Sequence, residues 1–157
     1  MPKEWWVLAG FLTLCFSCQA LASYYTVQSV YTGYLDLKKP DWMPALALFD
    51  PIWTFLYALM ALSGWFMWRV VGKLARAPFA FGSFLIQLIL ITLWPILFFY
   101  RQSIQLGLID ILFVLIFVAM TMYFFWRSCP ISGYLLLPYL ACVVFGIALN
   151  TAVVLAN

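Results

Sequence analysis

The run Ile104–Trp126, IQLGLIDILFVLIFVAMTMYFFW, decides the class of this protein. It holds one charged residue, Asp110, among aliphatic, aromatic and small side chains. A helix rises about 1.5 Å per residue, so roughly 20 apolar residues cross the hydrocarbon layer of a bilayer. The run shows no alternation of polar and apolar positions, which favours a helix over a barrel strand. Arg127 closes it.

Four more such blocks flank it: Trp5–Tyr25, Pro44–Trp68 ending at Arg69, Ala77–Tyr100 ending at Arg101, and Pro130–Ala156. The expectation is an all-α integral membrane bundle of five transmembrane helices forming a single domain, residues 1–157. Trp5, Trp6, Trp68, Tyr100 and Trp126 lie at block ends, where amphipathic rings prefer the headgroup layer. The first block has a second reading. Lys3, the apolar run and Ala20-Leu21-Ala22 resemble a signal peptide with a small-residue cleavage site, and cleavage would leave four spans.

Composition agrees. Charged residues make up 8% of the chain and hydrophobic ones 68%, whereas a soluble domain carries about 25% charged residues. The formal net charge of +3 is scattered, with no basic run to follow a phosphate backbone, so nucleic acid is excluded as a partner. The chain has no histidine, the commonest metal ligand and haem axial ligand. Cys15 and Cys18 form a CxxC pair inside an apolar block and lack a second pair, so they read as packing residues rather than zinc ligands. Neither a metal nor a cofactor is expected. No nucleophile with a matching base, paired intramembrane carboxylates or glycine-rich phosphate loop is present, so the residues point away from an enzyme.

Lys3, Arg69, Lys73, Arg76 and Arg127 fall on one side of the five spans; Lys38, Lys39 and Arg101 fall on the other, with Asp36 and Asp41. The positive-inside rule puts the N-terminus in the cytoplasm and favours a bacterial cell membrane. The longest connection, Thr26–Met43, holds Tyr31, Gly33, Tyr34, Lys39, Pro40 and Trp42, and an aromatic loop of this length suits a lid over a cavity.

Trp53, Tyr57, Met60 and Gly64 share one helical face. That face either fills the bundle or lines a flat apolar slot for a planar ligand. Trp94, Phe98 and Phe99 form a second aromatic cluster, and Pro51, Pro95 and Pro138 are candidate bends that open gaps between helices. Asp110 is either a hydrogen-bonding residue between helices, with Thr92, Gln87 or Arg101 as partner, or a proton-relay residue of a transporter. Gln19 and Asn150 are expected to bond between helices.

Lys39-Pro40-x-Trp42-x-Pro44, followed by Phe49-x-Pro51-x-Trp53-Thr54-x-Leu56-Tyr57-x-x-Met60, resembles the signature of the TspO/MBR family of translocator proteins and bacterial tryptophan-rich sensory proteins. Gln87 with Trp94, Phe98 and Phe99, then Gly107-Leu108-Ile109-Asp110, then Leu137-Pro138-Tyr139-Leu140 and Leu149-Asn150 are similar to the family's later helices. The resemblance implies a cavity under the first loop that binds porphyrins such as protoporphyrin IX or other hydrophobic small molecules. It implies a lining of Trp42, Pro44, Phe49, Trp53, Tyr57, Trp94, Phe98, Tyr139, Cys142, Gly146 and Leu149. It also implies a tendency to form a homodimer, and admits a mitochondrial outer membrane as well as a bacterial one. In the family, the tryptophan matched by Trp53 takes part in light-dependent porphyrin breakdown.

Several positions depart from the pattern. Ala45 stands for the second proline of a pair, Ile91 for an asparagine, Gly33 for an aromatic residue, and Cys142 for a second tryptophan linked to porphyrin breakdown. Leu149-Asn150-Thr151 lacks the tyrosine and basic residue of the sterol-recognition pattern. Three functions follow in order: a porphyrin-binding receptor or sensor, a transporter of tetrapyrroles or other hydrophobic molecules, and weak porphyrin photo-oxidation.

Overall fold

A computed structural model describes residues 2–30 and 36–157, with the backbone alone at 2, 3, 30 and 46. Five helical spans are long and apolar enough to cross a membrane, and no strand occurs among the described residues. The helices are α1 (Pro2–Val30), α2 (Phe49–Val71), α3 (Pro78–Pro95), α4 (Ile104–Ser128), α5 (Pro130–Leu135) and α6 (Leu137–Ala156), the last two forming one span. The protein is an all-α, five-helix integral membrane bundle.

α1 lies along α2 and α3, α4 packs between α3 and α6, and α5 sits against α2 and α4. Only 6% of the apolar window of α1 is buried within the bundle, against 56% for the third span. The third span is therefore the axis of the bundle, and α1 is a peripheral stave facing lipid along most of its length. The core runs through Tyr57, Met60, Phe84, Val118, Phe125 and Val143.

Boundaries differ from the sequence reading in physical detail. α1 continues past Tyr25 to Val30, which shortens the loop; Tyr31, Gly33 and Tyr34 lie outside the described residues. α2 begins at Phe49, and Pro44 belongs to the loop before it. Pro51 does not bend α2. It lies in the first turn, where a backbone N–H has no intrahelical acceptor to lose. Pro95 does perturb its span: beyond it the ladder widens into a π-helical turn, Ile96–Tyr100, in which the Arg101 N–H donates to the Ile96 carbonyl at 2.8 Å. Pro138 follows a break at Leu136 that divides α5 from α6. α2 ends on Gly72, whose φ of 76° suits glycine and lets its N–H donate to the Trp68 carbonyl at 2.7 Å.

The two ends of the bundle differ in charge. Glu4 pairs with Arg69 at 3.4 Å, and the Trp65 indole donates to the Glu4 carbonyl at 3.0 Å, so α1 starts where α2 ends. At the opposite end the loop is tied to the tip of the last span. The Lys38 N–H donates to Asn157 Oδ1, and Asn157 Nδ2 donates to the Lys38 carbonyl, both at 3.0 Å.

Candidate functional site

Two hollows open between the helices at the loop end, and they share a wall. One, of about 50 Å³, lies between α1, α2 and the third span; Gln19, Ser23, Thr26 and Asp50 give it a polar side. The other, of about 90 Å³, lies among α2, α3, α4 and α6; its lining includes Pro44, Ile52, Ile111, Cys142, Gly146 and Leu149. Phe49, Trp53, Ile91 and Trp94 face both.

The wall is built of positioned rings. Trp53 and Tyr57 are four residues apart on α2, so their rings meet, with centroids 6.2 Å apart. Tyr139 of α6 meets Trp53 edge-on at 6.3 Å and is fully buried. Trp94 stacks on Phe98 at 4.9 Å and 16°, again at helical spacing. The Trp94 indole donates to Asn150 Oδ1 at 3.2 Å, while Asn150 Nδ2 donates to the Ile104 carbonyl at 2.9 Å. Asn150 thus bonds between helices, as its placement in an apolar span implied, and it fixes the face of Trp94.

The polar side of the smaller hollow is a ladder between α1 and α2. Gln19 Nε2 donates to the Thr54 hydroxyl, Ser23 donates to Asp50 Oδ1 at 2.9 Å, and Thr54 donates to the Asp50 carbonyl at 2.8 Å. Gln19 therefore also bonds between helices.

Of the expected lining, Pro44, Phe49, Trp53, Trp94, Cys142, Gly146 and Leu149 meet around the larger hollow, and Phe49, Trp53, Tyr57 and Trp94 around the smaller. Three others do not line either of these two hollows. Phe98 is buried behind Trp94, and Tyr139 behind Trp53, because each is the ring on which a wall residue rests. Trp42 is half exposed on the loop and reaches the site only through Phe145, edge-on at 5.7 Å. The sequence reading missed Ser23, Thr26, Asp50, Ile52, Ile111 and Phe145 as lining, and took Ile91 only as a departure. The spacing of Gln19, Ser23 and Thr26, a polar stripe on an apolar helix, was the available signal.

Asp110 departs from the hydrogen-bonding expectation. It is buried, and its Oδ2 has no hydrogen-bond partner among the described residues; the Gln87 amide has none either. The Thr92 hydroxyl donates instead to the Leu88 carbonyl of its own helix at 2.7 Å, the usual i−4 choice for a threonine facing a tight interface. Arg101 is exposed at the loop end. Among the described residues no three His, Cys, Asp or Glu side chains gather as a metal site.

Fold and hollows together define a multi-pass membrane protein with an aromatic cleft between its helices. The profile of the TspO/MBR family matches residues 11–155, and the chain belongs to that family. It is 38% identical to the tryptophan-rich protein TspO of Archaeoglobus fulgidus, covering 86% of each chain. It is 34% identical to the protein of the same name from Chlorobaculum tepidum, covering 100% of this chain and 99% of that one. It is 31% identical to the translocator protein of Bos taurus, covering 96% and 89%.

Proposed function

We propose that the chain is a membrane receptor or sensor for flat hydrophobic molecules, porphyrins such as protoporphyrin IX foremost, held against Trp53 and Trp94. One observation carries this reading: the two indoles stand in a shared wall, each backed by a buried ring, with a hollow on either face. Rigid indole faces offer large stacking area at little entropic cost. The names of relatives, a translocator protein and a tryptophan-rich sensory protein 31% identical to this chain, support the same class of role.

The hollows are small. Neither approaches the roughly 300 Å³ at the lower end of sites for drug-sized ligands. A macrocycle is admitted when the wall yields, Trp53 turning so that the two hollows become one. Phe99 of the π-turn after Pro95 and Pro44 of the loop before α2 line these hollows.

Asp110 Oδ2 and the Gln87 amide, buried without a hydrogen-bond partner among the described residues, favour a second reading, translocation with a proton-carrying group inside the bundle. The excess of Lys and Arg at the N-terminal end supports a bacterial cell membrane with that end cytoplasmic. Titration of the detergent-solubilised protein with protoporphyrin IX, followed by tryptophan fluorescence, tests the receptor reading. Saturable quenching at a fixed stoichiometry is expected; linear, non-saturating quenching overturns it. Porphyrin flux into sealed liposomes separates transport from reception.

A further inference from the structure

The largest of the hollows described here is elsewhere, and its chemistry is different. It is an open groove of about 410 Å³ at the N-terminal end of the bundle, between the turn after α2, the start of α3 and the end of α4. Met67, Ala77, Pro78, Phe79, Ala80 and Phe124 give it an apolar floor, and Arg76, Arg127 and Tyr123 form its rim. Phe79 and Tyr123 are 77% and 56% exposed, large rings placed where the apolar span meets the interface.

Both guanidinium groups are held in place. Arg76 Nη1 donates to the Val71 carbonyl at 3.2 Å, and Arg127 Nη1 donates to the Tyr123 hydroxyl at 2.9 Å. Each bond uses one of the five N–H donors a guanidinium carries, and the rest of the fork is available to an anion. Among the described residues no carboxylate pairs with either. Glu4, the one carboxylate at this end among the described residues, is paired with Arg69. Lys73, in the same turn, adds to the positive field.

We propose that this groove binds an anionic phospholipid, its phosphate between Arg76 and Arg127 and its glycerol and upper acyl carbons along Phe79 and Phe124. Charge complementarity sets the headgroup: basic pockets between spans at a membrane surface suit anionic lipid heads, and two forked cations suit a phosphate. The apolar floor sets the source, since a free phosphate has nothing to place on it. This site is independent of the aromatic hollows at the other end.

The test uses the full chain in mild detergent with equal amounts of phosphatidylglycerol and phosphatidylcholine of identical acyl chains, read by native mass spectrometry. The wild type should retain phosphatidylglycerol with about a tenfold preference, given the usual contribution of each basic residue at a membrane surface. The R76Q/R127Q pair should fall to parity. R101Q, which removes an arginine at the opposite end, should keep the wild-type preference. Should the double variant fail to fold, R76Q and R127Q singly should each reduce the preference. No preference in the wild type, the same preference in the variants, or displacement of the lipid by excess glycerol 1-phosphate would each overturn the proposal.

Discussion

The two ends of this bundle use the same helices in opposite ways. Towards the N-terminal end the helices touch closely through small residues. A Cβ on Gly133 would lie 2.9 Å from the Trp126 ring and 3.1 Å from its backbone, and one on Gly64 would lie 2.6 Å from Phe11. Buried hydroxyls bridge the contacts: Ser63 donates to the Ser132 carbonyl at 2.8 Å, and Thr121 to the Ser83 hydroxyl at 3.1 Å. Close approach through small residues and hydroxyls is how helices gain contact energy where lipid competes for apolar surface. Towards the loop end close approach persists at Gly146, where an added Cβ would lie 2.8 Å from Ile111, but rings line the wall, a π-turn replaces regular helix, and two aromatic hollows open. The contrast is local: the α1–α2 and α4–α5 contacts close through small residues, whereas the seams around Trp53 and Trp94 stay open.

The contrast breaks first if the closed half tolerates bulk. Gly133→Val should destabilise the protein by about 3 kcal/mol, because the backbone of Trp126 leaves no room to relax. Thermal unfolding in detergent reads this, and an unchanged midpoint would show that the interface is looser than described. Asn150→Leu comes next. It removes the acceptor of the Trp94 indole and the donor to Ile104, at about 2 kcal/mol. Porphyrin affinity should fall with stability here, since the face of Trp94 is no longer fixed.

Cys142→Trp sharpens the comparison from the open side. Cys142 lines the larger hollow, where an indole would face Trp53 across the same space. Light-driven loss of protoporphyrin absorbance should be slow in the wild type and several-fold faster in the variant, with a smaller change in affinity. Rapid loss in the wild type, unchanged by the substitution, would show that Cys142 is not the deciding position. Asp110→Asn should do least. Affinity should stay within about threefold, because Asp110 lines neither aromatic hollow and a buried polar group between membrane helices carries little energy. A larger loss in a variant that still folds favours the transport reading.

Much of the fold is legible in the sequence, because a span needs only length and apolarity, and arginines 69, 101 and 127 mark helix ends. The division within spans is less so. Pro51 and Pro95 look alike in sequence, yet one lies in a first turn and costs nothing, while the other lies deep in its helix and changes the ladder. In the site, Trp53 and Tyr57 are readable because helical spacing puts them on one face. Phe98 and Tyr139 share the aromatic character of the wall, and only three-dimensional packing shows that they support it from behind. Asp50 is hidden for another reason: it is an ordinary polar residue near a helix end until α1 and α2 are laid side by side, whereas Ser23 belongs to a polar stripe that the spacing does show.

On this account ligand binds at the loop end, on Trp53, and not at the aromatic cluster around Trp65 at the N-terminal end. Trp65 is the natural control, stacked on Trp5 at 6.2 Å with the Arg69 guanidinium 4.9 Å from its ring centre. Protoporphyrin IX titrations of Trp53→Leu and Trp65→Leu, side by side, test it most directly. Loss of the Trp53 face should weaken binding about tenfold, the scale of one stacked aromatic pair, while Trp65→Leu binds as the wild type does. Equal affinities in all three proteins, or weakened binding in Trp65→Leu alone, would contradict it.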